Sequence, residues 1–126
     1  MSPSAPSTVA APRTAVVLTK AVVRASRALE LSQKTMAATL GVSEASISRL
    51  TRGRTIDPAT KEGELAILFV RLYRSLDSLL GGDESAGRSW MHARNLHLDA
   101  TPAELIRTIT GLTHALEYLD AMRGKS

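Results

Sequence analysis

Residues 32–54, SQKTMAATLGVSEASISRLTRGR, are the stretch that decides the fold of this chain. Ser32 is expected to cap a short helix that ends at Gly41, since glycine adopts the left-handed conformation at little cost. Ser43 is expected to cap a second short helix, which ends at Gly53. Two short helices joined by a tight, glycine-containing turn are typical of a helix-turn-helix.

The apolar residues of this stretch fit the same geometry. The first helix is predicted over residues 33–40, and the second from Glu44 to about Arg52. Val42 is expected to fill the junction between them. The side chains predicted to face inward are Met36, Ala37, Leu40, Ile47 and Leu50.

The second helix of such a motif lies in the DNA major groove. With Ile47 and Leu50 inward, the 3.6-residue period turns the remaining side chains outward: Glu44, Ala45, Ser48, Arg49 and Arg52. Arg49 can bind guanine through two hydrogen bonds, and Glu44 can accept one from a cytosine amino group. Gln33 begins the first helix, and Arg52 and Arg54 follow the second, so these three are predicted phosphate contacts.

The rest of the chain also shows helical periodicity. An apolar face runs through residues 14–29, at Leu18, Val22, Ala25 and Leu29, and a longer one through residues 61–80, at Leu65, Leu68, Phe69, Leu72, Leu76 and Leu79. A short helix is predicted over residues 83–93. A last helical face begins at Thr101, a predicted cap, and breaks near Gly111 into two helices. No segment alternates as a strand does, so the sequence predicts an all-α fold with about seven helices.

The positive charge is concentrated in one half of the chain. Residues 1–60 carry eight Lys or Arg against three Asp or Glu, a net charge of +5, whereas residues 61–126 carry eight against nine, a net charge of −1. This asymmetry favours a nucleic-acid-binding module followed by a module of another kind. The predicted division is a disordered tail over residues 1–12, a helix-turn-helix module over 13–60 and a helical module over 61–126.

Composition excludes several classes of chemistry. The chain has no cysteine, so disulfides, thiolate zinc sites and cysteine nucleophiles are ruled out. No apolar run approaches the roughly 18 residues of a membrane span. His92 and His97 are five residues apart and do not share a helical face, and no histidine–carboxylate spacing fits a metal site or a catalytic triad. We expect no enzymatic activity, no metal and no cofactor.

The N-terminal motif resembles the phage-repressor helix-turn-helix family of the Xre/Cro type. The resemblance covers about residues 14–75 and rests on Leu31-Ser32-Gln33, Ala37, Leu40-Gly41-Val42-Ser43, Ile47-Ser48 and Arg52-Gly53. It implies phosphate contacts for Gln33 and Arg52, and base-facing positions for Glu44, Ala45, Ser46 and Arg49. Met36 stands where leucine is usual, and Thr51 where an acid is common.

The C-terminal half resembles the toxin-binding domain of Xre/MbcA/ParS-type antitoxins over about residues 60–126. The resemblance rests on Trp90, Arg94-Asn95, Leu98, Thr101-Pro102-Ala103-Glu104-Leu105-Ile106, Thr108 and Gly111. Asp99-Ala100 replaces the glycine-rich turn common there. Family members join an Xre helix-turn-helix to this module in the order found here.

This second resemblance implies a partner. Antitoxins of this type bind RES-domain toxins, which act on NAD, and cover the entrance of the toxin's active site with their C-terminal region. The residues implied in toxin binding are Trp90, Tyr118, Asp120, Met122, Arg123, Gly124, Lys125 and Ser126. Trp90 has an alternative interpretation as a core residue, and Asn95 as a cap of its loop.

The sequence therefore predicts a type II antitoxin of the bacterial cytoplasm. It would bind operator DNA as a homodimer or a larger assembly with its toxin, repress its own operon, and neutralise a RES-type toxin by direct contact. A stand-alone Xre-family regulator whose C-terminal module only dimerises is the main alternative. A second alternative is a protein-interaction module whose helix-turn-helix does not bind DNA. The DNA-binding residues are predicted to be Gln33, Ser43, Glu44, Ala45, Ser46, Ser48, Arg49, Arg52 and Arg54.

Overall fold

The structure, a computed structural model, describes residues 11–124. Over this range it is all-α, as predicted, with seven α-helices and one 3₁₀ turn. The helices are α1 (Arg13–Ala28), α2 (Gln33–Leu40), α3 (Glu44–Ser48), α4 (Lys61–Leu79), α5 (Glu84–His92), α6 (Pro102–Leu105) and α7 (Ile109–Gly124), and the 3₁₀ turn, Arg49–Thr51, follows α3. The tail predicted over residues 1–12 lies mostly outside the described residues.

The helix ends follow local capping chemistry. The hydroxyl oxygens of Ser32 and Ser43 accept hydrogen bonds from the backbone N–H groups of Thr35 and Ser46, at 3.0 and 3.1 Å. Both predicted caps are therefore confirmed. Thr101 was wrongly predicted as a side-chain cap, because its hydroxyl makes no capping bond and only its backbone oxygen accepts from the first turn of α6.

The second helix of the motif is shorter than predicted. Its α-helical part ends at Ser48, and the chain tightens into the 3₁₀ turn before Arg52. Two backbone N–H groups, those of Arg52 and Arg54, donate to the carbonyl oxygen of Arg49 at 2.9 and 3.0 Å. This tightening accompanies the burial of Leu50, while Ile47 is half-buried.

Helix α4 is the centre of the molecule. It contacts α1 and α2 on one side and α5 and α7 on the other. The fully buried side chains of Phe69, Leu72 and Leu76 join the two sides into one continuous core. Leu79 was predicted to lie on this inner face, but it is exposed at the last residue of the helix, where it lines an open depression.

Polar contacts attach the other helices to α1. The Thr19 hydroxyl donates to the Ala15 carbonyl oxygen and accepts from the Ile56 N–H at 2.8 Å, so it holds the segment after the 3₁₀ turn against α1. The Arg88 guanidinium of α5 lies 3.4 Å from the Glu30 carboxylate. His92 Nε2 lies 2.8 Å from the Leu29 carbonyl oxygen.

Tyr73 lies where α1, α4 and α5 meet. Burial raises the pKa of its phenol, and the carboxylates of Asp77 and Glu84 act in the same direction. The neutral phenol is therefore the stable form at this junction.

Two glycines are required by close backbone approaches. A Cβ at Gly111 would lie 1.8 Å from the Leu105 carbonyl oxygen, and one at Gly63 would lie 2.2 Å from the Asp57 carbonyl oxygen. Gly111 marks the corner between α6 and α7, where the Thr108 hydroxyl accepts from the Gly111 N–H at 3.1 Å. The predicted break in the C-terminal helical segment is thus confirmed.

Candidate functional site

The turn between α2 and α3 brings the two helices into the helix-turn-helix arrangement. Gly41 has a φ of +71°, in the left-handed region that glycine favours. The Val42 N–H donates to the Ala37 carbonyl oxygen at 3.0 Å, and its side chain packs against the core. Met36, Ala37 and Leu40 are buried as predicted, whereas Glu44 and Ala45, on the outer side of α3, are exposed.

Most of the predicted DNA-binding residues lie on this outer side. Those that are exposed are Gln33, Ser43, Glu44, Ala45, Arg49 and Arg52, and those that are half-buried are Ser46, Ser48 and Arg54. Gln33, Glu44 and Arg49 make no side-chain hydrogen bond or salt bridge within residues 11–124. Their functional groups are therefore available to a ligand.

The serines of the motif bind within the motif itself. The Ser43 hydroxyl donates to Ser46 Oγ at 3.0 Å while it caps α3. The Arg52 guanidinium donates to Ser48 Oγ at 2.6 Å. These bonds hold Arg52 alongside α3, with its side chain exposed at the end of the helix.

Arg54 is engaged inside the molecule. Its guanidinium makes two hydrogen bonds with the Glu62 carboxylate, at 2.7 and 3.1 Å, and its Nε donates to the Ser46 carbonyl oxygen at 2.9 Å. The two side chains are only 26% and 15% exposed. This geometry connects α3 to α4, and a phosphate contact by Arg54 stays a prediction.

Sequence reasoning missed two cations beside this surface. Arg27, in the last turn of α1, lines the same cleft as Gln33, Ser48 and Thr51. Lys34 is exposed in the first turn of α2. The position of Lys34 next to Gln33 was a usable signal, whereas the approach of Arg27 depends on how α1 packs.

The loop between α5 and α6 explains part of the C-terminal motif. Asn95 Oδ1 accepts a hydrogen bond from the Leu98 N–H at 3.0 Å, so the predicted loop cap is confirmed. The backbones of Asn95 and Ala100 also pair. Asp99 has a φ of +54° and its carboxylate pairs with Arg94. The aspartate therefore adopts the backbone conformation that a glycine would adopt more easily.

The predicted toxin-binding residues face different directions. Trp90 is half-buried and packs against the core. The Tyr118 ring stacks on the His97 ring, with centroids 5.8 Å apart, so it faces the loop between α5 and α6. Asp120 and Arg123 instead face α4.

A buried hydroxyl joins the end of α7 to α4. The Ser75 hydroxyl donates to the Asp120 carboxylate at 2.8 Å and accepts from the Arg123 guanidinium at 2.9 Å. Asp120, Arg123 and Gly124 line an open depression of about 620 Å³ with Ser78 and Leu79. Met122, the residue before Arg123, is exposed. Lys125 and Ser126 lie outside the described residues.

The described residues contain no group of three or more His, Asp or Glu side chains that could hold a metal ion. Within residues 11–124, no helix combines the length and the apolar character that a membrane crossing requires. The candidate site consists of two surfaces, the helix-turn-helix face and the end of α7.

The all-α fold and the exposed face of the helix-turn-helix are those of a helical DNA-binding regulator. Residues 9–71 match the antitoxin Xre-like helix-turn-helix domain, and residues 75–125 match the antitoxin Xre/MbcA/ParS C-terminal toxin-binding domain. The chain belongs to this antitoxin family. No curated protein matches the chain significantly.

Membership of this family has direct consequences. The protein is an antitoxin of a toxin–antitoxin system, and its two domains imply a toxin and DNA as partners. Such antitoxins are regulatory proteins and not enzymes. The two matches meet within α4, between residues 71 and 75, whereas the division at residues 60 and 61 stays a prediction.

Proposed function

We propose that this antitoxin represses its own operon as a DNA-bound dimer and neutralises a RES-type, NAD-acting toxin by direct contact in the bacterial cytoplasm. The observation that carries the DNA half is the exposed face of the helix-turn-helix, with Gln33 of α2, Glu44 of α3 and Arg49 of the 3₁₀ turn available to a ligand. The toxin half rests on the C-terminal toxin-binding domain. The RES assignment rests on the resemblance of the C-terminal motif to partners of such toxins.

The dimer follows from the size of the reading surface. One short recognition helix contacts few base pairs, and a two-fold dimer doubles the site on a palindromic operator. Apolar side chains exposed on the C-terminal half, Leu79 and Met122, are the residues that we propose for dimerisation. Protein that remains a monomer at high concentration, alone and with its toxin, would contradict this part of the proposal.

Operator binding is tested by a gel shift on the promoter of the antitoxin gene. Arg49→Ala should weaken specific binding about tenfold or more, because a bidentate arginine–guanine contact contributes roughly 1–3 kcal/mol. Arg107→Ala, which removes the same charge from the corner before α7, should change binding only slightly. Specific, salt-dependent binding that survives Arg49→Ala would show that the assigned recognition residue is wrong.

Neutralisation is tested by co-expression with the enzyme encoded next to the antitoxin gene. A chain that lacks residues 123–126 should fail to prevent NAD loss and growth arrest, since the proposed blocking segment is missing. Co-purification of the truncated chain with the toxin shows whether the two proteins still bind, and so separates loss of toxin binding from loss of active-site blocking. Removal of residues 1–8, a matched truncation at the other end, should leave protection intact.

A chain that ends at Arg123 makes the tail experiment sharper. It retains the Arg123–Ser75 hydrogen bond and loses only Gly124, Lys125 and Ser126. Full protection by both truncated chains would rule out the tail as the blocking segment. A neighbouring toxin that leaves NAD untouched would refute the RES assignment.

A further inference from the structure

An open apolar groove runs between α1 and α4, and its apolar walls belong to neither of the two surfaces described above. Val17, Leu18 and Ala21 of α1 line one wall, and Ile67 and Val70 of α4 line the other. We call these five residues the α1–α4 groove. It encloses about 480 Å³, and its most prominent side chains are strongly exposed, Val17 at 55% and Ile67 at 42%.

Cations surround this groove. Arg13, Arg71 and Arg74 line it directly, and Lys20 and Arg24 line the depression that continues beyond Ala21. Within the described part of the chain, Arg71 alone of these five forms a salt bridge, at 3.7 Å from the Asp120 carboxylate. Asp77 lies in the adjoining depression, so two acids, Asp77 and Asp120, lie beside these five cations. The groove therefore combines exposed apolar walls with an excess of unneutralised positive charge.

The two walls have the geometry of a helix-binding site. The α1 wall uses residues 14, 17, 18 and 21, and the α4 wall uses residues 67, 70, 71 and 74. Both sets follow the i, i+3, i+4, i+7 spacing of one helical face. A third helix can lay its apolar side between two such faces, as amphipathic helices do in apolar grooves.

We propose that the α1–α4 groove is a docking site for an acidic amphipathic helix of a partner protein. Leucine-type side chains of that helix would lie between Val17 and Ile67, and its Asp or Glu side chains would pair with Arg13 and Arg74. The interaction combines burial of the exposed apolar walls with charge complementarity at the rim.

Charge argues against the other occupants. A second copy of this chain, placed two-fold across the groove, would bring the same cations against each other. Residues 1–10 contain no Asp or Glu and cannot complement the rim. DNA would leave the apolar walls without a partner.

The groove is compatible with simultaneous DNA binding. Val22, Val23, Ser26 and Arg27 line the cleft between α1 and the segment that contains α3. Val17 and Ser26 are nine residues apart, which places them on opposite sides of a 3.6-residue helix. The acidic partner can therefore bind α1 from the side away from the operator.

The test uses the full chain and a fluorescent synthetic peptide of about 18 residues, a length chosen because shorter isolated helices are marginal in water. The peptide has leucines at helical spacing and glutamates beside them, and a matched peptide has lysines in place of the glutamates. Fluorescence anisotropy at low salt should show binding of the acidic peptide and at least about tenfold weaker binding of the basic one.

Variants locate the binding site. Val17→Glu and Ile67→Glu should each weaken the acidic peptide about tenfold or more, because they place a carboxylate on an apolar wall. Leu96→Glu, the same change at an exposed residue of the α5–α6 loop, should leave its affinity within about twofold. Arg74→Glu should weaken the acidic peptide and strengthen the basic one. Circular dichroism should show unchanged helicity, since all four side chains are exposed.

Four results would overturn the proposal. The first is equal binding of the two peptides, and the second is loss of a concentration-dependent dimer on Val17→Glu. The third is binding of the acidic peptide only after removal of residues 1–10. The fourth is loss of operator binding on Arg74→Glu when neither peptide binds. The second result would assign the groove to a second copy, the third to the chain's own N-terminus and the fourth to nucleic acid. Toxin neutralisation enters none of these measurements, so the outcome is independent of the proposed toxin contact.

Discussion

At the scale of single residues, the tightest packing is at Gly111, where there is no room for a side chain. The backbone at Gly111 passes so near to Leu105 that the space for a Cβ is occupied by a carbonyl oxygen. The Thr-x-x-Gly spacing of the C-terminal motif has the same origin, because Thr108 caps the helix whose third residue is Gly111. A motif residue of the toxin-binding domain is thus explained by a helix corner and needs no contact with the toxin.

Gly111→Ala should destabilise the protein by about 2 kcal/mol or more, since backbone atoms must move to accommodate the methyl group. Urea unfolding followed by circular dichroism measures the change. The matched control is Gly87→Ala, where the new Cβ would lie 3.6 Å from Leu29 Cδ2, an ordinary contact. The free energy of unfolding of that variant should equal or exceed the wild-type value by no more than about 1 kcal/mol, because alanine favours a helix more than glycine does. Equal stability of the two variants would contradict the close approach at Gly111.

At the scale of elements, α3, the proposed recognition helix, is very short and depends on its neighbours. It spans Glu44–Ser48 and contributes no buried side chain of its own. Its cap at Ser43, the burial of Leu50 in the following turn and the bridge from Arg54 to Glu62 hold it in place. The position of the face that we propose for DNA binding is therefore set from both ends of α3.

Glu62→Gln separates the two roles considered for Arg54. Loss of the half-buried ion pair should destabilise the protein by about 1–2 kcal/mol. If Arg54 positions α3, operator affinity should also fall, because the bond to the Ser46 carbonyl loses its support. If Arg54 is instead a phosphate contact, its release should preserve or raise the affinity, as measured by gel shift.

The control for this prediction lies two residues further along α4. Glu64 pairs with Lys61 at 3.7 Å and its side chain is 63% exposed. Glu64→Gln removes the same charge and should change the stability by no more than about 0.5 kcal/mol. Wild-type stability of Glu62→Gln would mean that the bridge contributes little.

At the scale of the whole molecule, the two family domains share one core. Helix α4 contributes to both, and Arg88 and His92 of α5 bind the C-terminal end of α1. A molecule of this size with a continuous core is expected to unfold as one cooperative unit. A substitution that destabilises the N-terminal domain should therefore also lower the unfolding midpoint of the C-terminal domain.

Ile56→Val tests this coupling. Ile56 is fully buried in the N-terminal half, and loss of one methyl group there should cost about 1 kcal/mol. Trp90 is the only tryptophan and reports on α5, so its fluorescence should shift to a lower urea midpoint by the same amount as the circular dichroism signal. A shift in circular dichroism with an unchanged Trp90 midpoint would show that the domains unfold separately.

Features that depend on residues close together in the chain could be predicted from the sequence, whereas features that depend on helix packing could not. The caps at Ser32 and Ser43, the turn at Gly41 and the break at Gly111 were predictable, because each depends on residues within a few positions of one another. The Arg54–Glu62 pair was missed, and Leu79 was wrongly placed inside, because both depend on where α4 lies and ends. The exposed face of α3 follows from the helical period, whereas the hydrogen bonds of its serines depend on side-chain rotamers, which the sequence does not specify.

The sequence by itself determined the all-α class, the helix-turn-helix and the charge asymmetry, since capping, periodicity and composition are local properties. Only the tertiary structure decided which groups Arg54 binds within the chain, how Ser75 holds the end of α7, and that α1 and α4 leave an apolar groove between cations. Those features join residues that are 8, 45 or more positions apart, and their geometry arises from the packing of helices around α4.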